Sequence, residues 1–324
     1  GGFEYSDAYL HDNDARFVYS FVRSALDYGA AAANYVESRG ARRSDNGWVV
    51  DARDNQSGET FSLRAGIIIN ATGPWVDDHN ALSRQTTDHH HAYSKGIHLI
   101  VPRLSERQRV LAFFADDGRL FFAIPMGPRT CIGTTDTKEE RPEVAISDAD
   151  IDFVLDNINK RLSLKRPLDR SDIIATRCGV RPLAVKANAG NGRDFLQMSR
   201  KHAIDINATE RHISIFGGKL TDCLNVGEEI VREVQRLGLE LPQPRARWYG
   251  EPSDTDRREF LHQASLLGLD ERTPSSSSEP LSKRLWRRYG LNAFDMLEQI
   301  RQDPRQGELL IEGTEYLRCE LEHA

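Results

Sequence analysis

No stretch of this chain approaches the ~20 consecutive apolar residues that a membrane-spanning helix needs, so a helical membrane protein is not expected. Cysteine is scarce. Cys131, Cys178, Cys223 and Cys319 are scattered, with no C-x-x-C pair. That argues against a metal site and against disulfides, and it suits a reducing cytoplasm. Surplus positive charge is missing too. The formal net charge is −6, and a phosphate backbone demands a basic face, so nucleic acid is not the expected partner. Hydrophobic residues make up 39% of the 324 positions and charged residues 28%. That suffices for real cores under much exposed surface, and the length allows two domains or one with an appendage. No secretion signal is visible, but Gly1-Gly2 is not a natural start, which leaves secretion open.

The stretch Ser214-Ile215-Phe216-Gly217-Gly218-Lys219-Leu220-Thr221-Asp222 organises the rest. A short β-branched run meets paired glycines, and a helical pattern follows at once through Val231 and Val234. Glycines let another molecule lie against the main chain, and a helix start offers unpaired N–H groups to an anion. The bland reading is a tight turn with a solvated lysine. A second junction of this kind is Gly66-Ile67-Ile68-Ile69-Asn70-Ala71-Thr72-Gly73-Pro74-Trp75. Three isoleucines predict a strand buried on both faces, and Pro74 suits the first turn of a helix. In open α/β sheets such carboxyl ends of strands are where ligands sit.

Elsewhere the pattern predicts a helix carrying Phe17, Val18, Phe21, Val22, Ala25 and Leu26, and a small-residue strand over 31–37. A hairpin is predicted around Asp54-Asn55-Gln56-Ser57-Gly58. Residues 92–135 are strand-rich, a helix is predicted over 149–162, and further strands over 173–179, 195–199, 203–206 and 213–216. Beyond Pro242 the composition turns to helix formers.

Three features invite over-reading. Gly190-Asn191-Gly192 begins like a dinucleotide fingerprint, but Phe195 stands where the third glycine belongs, so a hairpin loop is expected. His89-His90-His91 has no carboxylate or cysteine at ligand spacing and is expected to be a solvated loop. Lys283-Arg284-Leu285-Trp286-Arg287-Arg288-Tyr289 is expected to be a solvated helix face, with contact to an anionic surface the minority reading.

His98, Arg181, Arg200 and Lys219 stand at strand ends or beside glycine turns. Converging arginines and a lysine suit a phosphate or carboxylate, because the guanidinium fork is bidentate and the ammonium is compact. A lone arginine is more often on the surface, and a histidine in an apolar strand is as readily a core residue as a tuned one.

Tyr5-Ser6-Asp7-Ala8, Asp14-Ala15-Arg16, Ala33-Asn34-Tyr35-Val36, Asn70 to Trp75, Lys95-Gly96-Ile97-His98-Leu99-Ile100-Val101-Pro102, Ile132-Gly133-Thr134-Thr135-Asp136-Thr137, Gly179-Val180-Arg181-Pro182-Leu183 and Gly217 to Thr221 follow one another in a particular order. As an ordered set they resemble the FAD-dependent, quinone-linked glycerol-3-phosphate dehydrogenases, from about Tyr5 to Arg232. The resemblance implies an α/β (α+β) fold. Residues 1–75 and 205–241 would form part of an FAD-binding domain of the amino-acid-oxidase type. Residues 76–204 would be an inserted antiparallel substrate domain and 247–324 a C-terminal helical segment.

Carried over position by position, Tyr35 and Val36 would meet the adenine end of FAD, and Ala71, Thr72, Gly73 and Trp75 would line the cofactor. Gly217, Gly218, Leu220 and Thr221 would approach the flavin. His98 and Arg181 would be catalytic, and Arg181, Arg200 and Lys219 would hold the substrate phosphate. The implied reaction takes sn-glycerol 3-phosphate to dihydroxyacetone phosphate, with a hydride passing to FAD and electrons to quinone. That implies a cytoplasmic enzyme with peripheral contact to the membrane's inner face. The family's N-terminal glycine-rich turn, which holds the FAD pyrophosphate, has no match here. The polypeptide is therefore expected to be a fragment, binding FAD weakly or not at all and inactive alone. Two rivals stay open: an amine or amino-acid oxidase on the same scaffold, and a non-enzymatic binding module.

Overall fold

The computed structural model describes residues 4–6, 14–107, 109–187, 201–242, 252–275, 277 and 279–323. The expected loop at Gly190-Asn191-Gly192, the strand over 195–199 and Arg200 lie outside them. The described chain divides into two compact units, residues 33–125 with 129–244, and residues 1–32 with 126–128 and 245–324.

The chain's first helix, α1 (Asp14–Asp27), carries Phe17 and Phe21 edge to face at 4.9 Å and belongs to the second unit. The first unit opens with β1 (Val36–Ser44), β2 (Gly47–Asp54) and β3 (Thr60–Ala65), an antiparallel sheet. Residues 31–35 are exposed coil rather than strand, and β1 starts later than the small-residue run predicted. Alanine has little to gain in a pleated sheet without neighbours to pack against. The hairpin around Asp54 is present, its turn tied by Asp54 accepting from the Gln56 N–H at 2.8 Å.

β4 (Ile68–Asn70) follows, then a 3-10 turn over Gly73–Trp75 with Pro74 at its start, then α2 (Val76–Leu82). β4 lies parallel to β12 (His212–Phe216), and β11 (Ala203–Asn207) covers the other edge of β12 antiparallel. The isoleucine run is not buried on both faces: Ile68 is 8% exposed and Ile69 42%. β4 is an edge strand here, so only one of its faces meets the core.

The third and largest sheet is built on one long strand, β5 (His89–Pro102). β10 (Ala175–Lys186) pairs along one side of it. On the other side lie β9 (Thr137–Glu139) and β8 (Arg129–Gly133), followed by β7 (Leu120–Met126) and β6 (Leu111–Phe114). Pro182 is tolerated in β10 because that strand is the sheet's edge. Helix α3 (Asp148–Arg161) starts with a capping box between Ser147 and Asp150. It packs Val154, Leu155 and Ile158 on Ile97, Leu99, Val101 and Ile132. Asp150 also pairs with the buried Lys95 ammonium at 2.9 Å, which locks helix to strand. After β12 comes a 3-10 turn over Leu220–Asp222, then α4 (Cys223–Arg236).

The second unit gathers α5 (Asp254–Leu266), α6 (Leu281–Tyr289) and α7 (Ala293–Gln302) around Phe260, Leu285, Met296 and Leu297. The cationic run on α6 is not a solvated face. Arg284 is fully buried and forks onto Glu320, Arg287 pairs with Glu279, and Arg288 stacks over Tyr316 at 5.2 Å. Within this unit α1 is held by Arg16, which donates to the Arg288 carbonyl at 3.2 Å and lies over the Tyr289 ring. Among the described residues no helix is long and apolar enough to cross a membrane.

Candidate functional site

β5 brings the scattered motifs together. Its even-numbered positions Ser94, Gly96 and His98 share one face, while Lys95, Ile97 and Leu99 face α3. Arg181 stands opposite Ser94 in β10. Its guanidinium folds over Gly96: a Cβ there would lie 2.5 Å from one terminal nitrogen and 2.7 Å from Cζ. The group is anchored by Thr134, whose hydroxyl accepts at 2.9 Å, and by the Thr135 carbonyl at 3.3 Å. Thr135 is itself buried and accepts from the Ile97 N–H at 3.0 Å.

His98 lies two positions on, half-buried, opposite Gly133. A side chain on Gly133 would sit 2.9 Å from His98 Cδ2 and 2.7 Å from the Ile97 carbonyl, so glycine is what leaves room for the ring. The runs around Lys95, Ile132 and Gly179 thus converge on one sheet face, with a cation and an imidazole side by side. Arg177, which sequence reasoning passed over, stands directly across from His98 and is exposed. Its signal was its even-numbered spacing from Arg181, which puts both on one face of β10.

The two strand–glycine junctions lie next to each other because β4 and β12 run parallel, Asn70 beside Ser214. Both therefore deliver their carboxyl ends to the same edge. Ala71 and Thr72 are exposed there, Trp75 is 50% exposed, and Gly218, Leu220 and Thr221 are exposed beside them. Gly73 has φ +60° and nothing within 4 Å of where a Cβ would point. Under this edge runs a buried polar network. Asn70 donates to Asn80 at 2.7 Å and to the Val76 carbonyl, and accepts from the Thr72 hydroxyl at 2.8 Å. Ser214 donates to Asn80 at 3.0 Å. The network shapes the Ala71–Gly73 loop from below.

Gly217 and Gly218 take φ +61° and +92°. A Cβ on Gly217 would come within 3.1 Å of the Ala184 amide, and one on Gly218 within 3.1 Å of His202 Cβ. The glycines are required by contacts inside the fold as well as by any visitor to the turn. Gly217 abuts Ala184, three residues along β10 from Arg181. Lys219 is exposed at the turn. The Asp222 carboxyl nearby is held below its usual range, chiefly by Asn225 and to a lesser degree by Lys219.

The histidine run is strand, not solvated loop. His89 donates to Asp205 from both backbone and ring. His91 is buried, and its Nε2 accepts from the Gly217 N–H at 3.0 Å. Its own N–H donates to Asp77 on α2 at 2.9 Å. Burial pushes its pKa down, partly offset by Asp77. The next side chain on that face, Tyr93, donates to the Pro74 carbonyl at 2.8 Å. Three histidines in a row gave no periodic cue, and that hid the strand.

Tyr35 is 61% exposed with φ +60° at the start of β1, and its carbonyl accepts from the Asn55 N–H at 2.8 Å. Any main-chain contact to an adenine there falls to the remaining groups of Tyr35 and Val36. The exposed loops after β4 and β12, with the uncluttered Gly73, fit a cofactor lying across that edge.

Comparison with known proteins agrees in kind. A model of the family described as FAD dependent oxidoreductase matches residues 1–202. Glycerol-3-phosphate dehydrogenase 2 of Mycobacterium tuberculosis is 30% identical over all of this chain and 54% of its own length. D-erythritol 1-phosphate dehydrogenase of Brucella abortus is 33% identical over 76% of this chain and 48% of its own. The solved glycerol-3-phosphate dehydrogenase of Bacillus halodurans, complexed with FAD, superposes with a TM-score of 0.69 at 25% identity, over 91% of this chain and 58% of that one. The chain spans about half the length of the curated relatives it matches. With more than half of its residues matched by the family's model, this chain belongs to the FAD dependent oxidoreductase family.

Proposed function

We propose that the chain carries the substrate face of an FAD-dependent dehydrogenase that oxidises sn-glycerol 3-phosphate to dihydroxyacetone phosphate. The observation that carries this reading is Arg181, folded over Gly96 on the same face of β5 as His98. A guanidinium held flat by Thr134 and Thr135 offers a fixed fork to a phosphate. Lys219, exposed on the turn after β12, is proposed to add a compact charge to the same anion. Arg200 is proposed as a third ligand.

His98 takes the proton from the hydroxyl at carbon 2, and the neighbouring guanidinium stabilises the oxygen that loses it. When bound, the flavin supplies the hydride acceptor. Ala71 to Gly73, Trp75, Gly217, Gly218, Leu220 and Thr221 would hold it, and Tyr35 and Val36 would meet its adenine end. Electrons pass on to a quinone at a membrane surface, with the body of the protein on the cytoplasmic side.

The relative that acts on D-erythritol 1-phosphate supports a second reading, a longer polyol phosphate on the same machinery. The test is turnover of glycerol 3-phosphate and of erythritol 1-phosphate in the FAD-loaded protein with a dye acceptor, for wild type, Arg181→Ala and Lys219→Ala. KM for the phosphate ester should rise at least tenfold in both variants. Unchanged KM in both would sink the phosphate assignment, and a clear preference for the four-carbon substrate would favour the second reading.

A further inference from the structure

We propose that His91 is a positioning residue: its ring sets the Gly217-Gly218-Lys219 turn against the strand that carries His98. The proposal rests on the reading of that turn as part of an anion and cofactor site.

The Gly217 N–H lies just past the last rung of the β11–β12 ladder, Ala203 with Phe216. It donates to His91 Nε2 at 3.0 Å, a side chain from a different sheet. A peptide N–H can only donate, so Nε2 carries no proton and Nδ1 does. Nδ1 has no hydrogen-bond partner among the described residues; the Asp77 carboxylate lies 3.5 Å from it and accepts from the His91 main chain. Asp77 is in the first turn of α2, directly after the Thr72-Gly73 loop. His91 therefore joins the elements behind both glycine junctions, its ring accepting from Gly217 and its main chain donating to Asp77. The ring cannot drift, because it lies edge to face with Phe216 at 5.1 Å and its side chain is wholly buried.

A residue that merely filled the core would be replaceable by an apolar one of similar size. Leucine here would leave the Gly217 N–H without its acceptor and release the turn from β5. Both glycines sit at positive φ where an added Cβ would come within 3.1 Å of a neighbour, so a small shift at Gly217 moves Lys219 with it. Glutamine can present a carbonyl oxygen near the place of Nε2. Asparagine, one bond shorter, cannot reach it.

The test uses His91→Leu, His91→Asn and His91→Gln. Amide hydrogen exchange of the 324-residue chain should show Gly217 exchanging about tenfold faster in the Leu and Asn variants, the loss of roughly one hydrogen bond. It should stay within about threefold of wild type in the Gln variant. Leu99 and Ile132, in the β5–β8 core, should be unaffected in all three. In FAD-loaded protein, KM for glycerol 3-phosphate should rise about tenfold in the Leu and Asn variants, with kcat changed less. Unaltered Gly217 exchange, faster exchange at Leu99 and Ile132 as well, or an unmoved KM would each overturn the proposal. If wild type that has taken up FAD turns over no phosphate ester while Gly217 responds as stated, the functional reading falls and the anchoring role stands.

Discussion

The guanidinium of Arg181 occupies the space that a side chain on Gly96 would need. The atoms in the way are the tip of a flexible side chain, so Gly96→Ala should displace Arg181 with little cost to the fold. KM for glycerol 3-phosphate should rise at least tenfold while the melting temperature moves little. Gly133→Ala should behave otherwise, because it meets the Ile97 carbonyl as well as His98. A loss of about 1–3 kcal/mol is expected there by urea denaturation. Equal destabilisation by the two changes would refute the distinction.

Arg181→Lys keeps the charge and loses the planar fork, so it should raise KM and leave the fold intact. His98→Asn should instead lower kcat by roughly 10²–10⁴, the usual worth of a positioned base. Steady-state kinetics on both variants separate the roles. A His98→Asn enzyme with normal kcat would remove the imidazole from the mechanism.

Stability should fall on mild acidification. Burial pulls His212 from 6.5 down to about 4 and lowers His79 and His91 in the same direction. Between about 4 and 6.5 the unfolded chain binds more protons than the folded one, so stability rises with pH across that window. The contribution is fully present above 6.5 and gone below the folded value. His212 alone contributes about 3 kcal/mol. Denaturation of wild type and His212→Phe at pH 7 and pH 4.5 checks the sign: the variant should lose less on acidification.

In the helical unit, Glu320 receives both terminal nitrogens of Arg284, the Tyr289 hydroxyl at 2.8 Å and the Leu317 N–H at 2.8 Å. Glu320→Ala strands a buried guanidinium and should cost about 3–5 kcal/mol. Replacing both partners together, Arg284→Met with Glu320→Leu, should recover part of that, the Tyr289 hydroxyl and the Leu317 N–H still lacking their acceptor. Calorimetry on the single and double variants decides, and a double variant as unstable as the single one would contradict it.

Much of the site is legible in the amino-acid sequence, because its chemistry sits on short motifs with local causes. Gly73-Pro74 announces a strand ending in a helix start, and Gly217-Gly218 does the same. Placing His98 beside Arg181 could not be read locally. It depends on β5 and β10 pairing in a register where Ser94 meets Arg181, a contact between residues far apart in sequence. His91 was hidden for a different reason: histidine is equally at home in solvent and in cores, and only the position of Gly217 reveals its task. Arg284 misled because a cationic run signals solvent unless a carboxylate waits at a distant position, as Glu320 does.

β5 is continuous from His91 to His98, and the odd number of steps between them puts the two rings on opposite faces. That interval is a ruler with no slack. Removing or adding one residue within it would turn His98 toward α3 or His91 away from Gly217, since a single-residue slip reverses every later side chain. Substitutions can be absorbed along this strand one at a time, whereas a change of length cannot be. A chain that keeps both contacts without a bulge between them keeps the count even where it alters the letters.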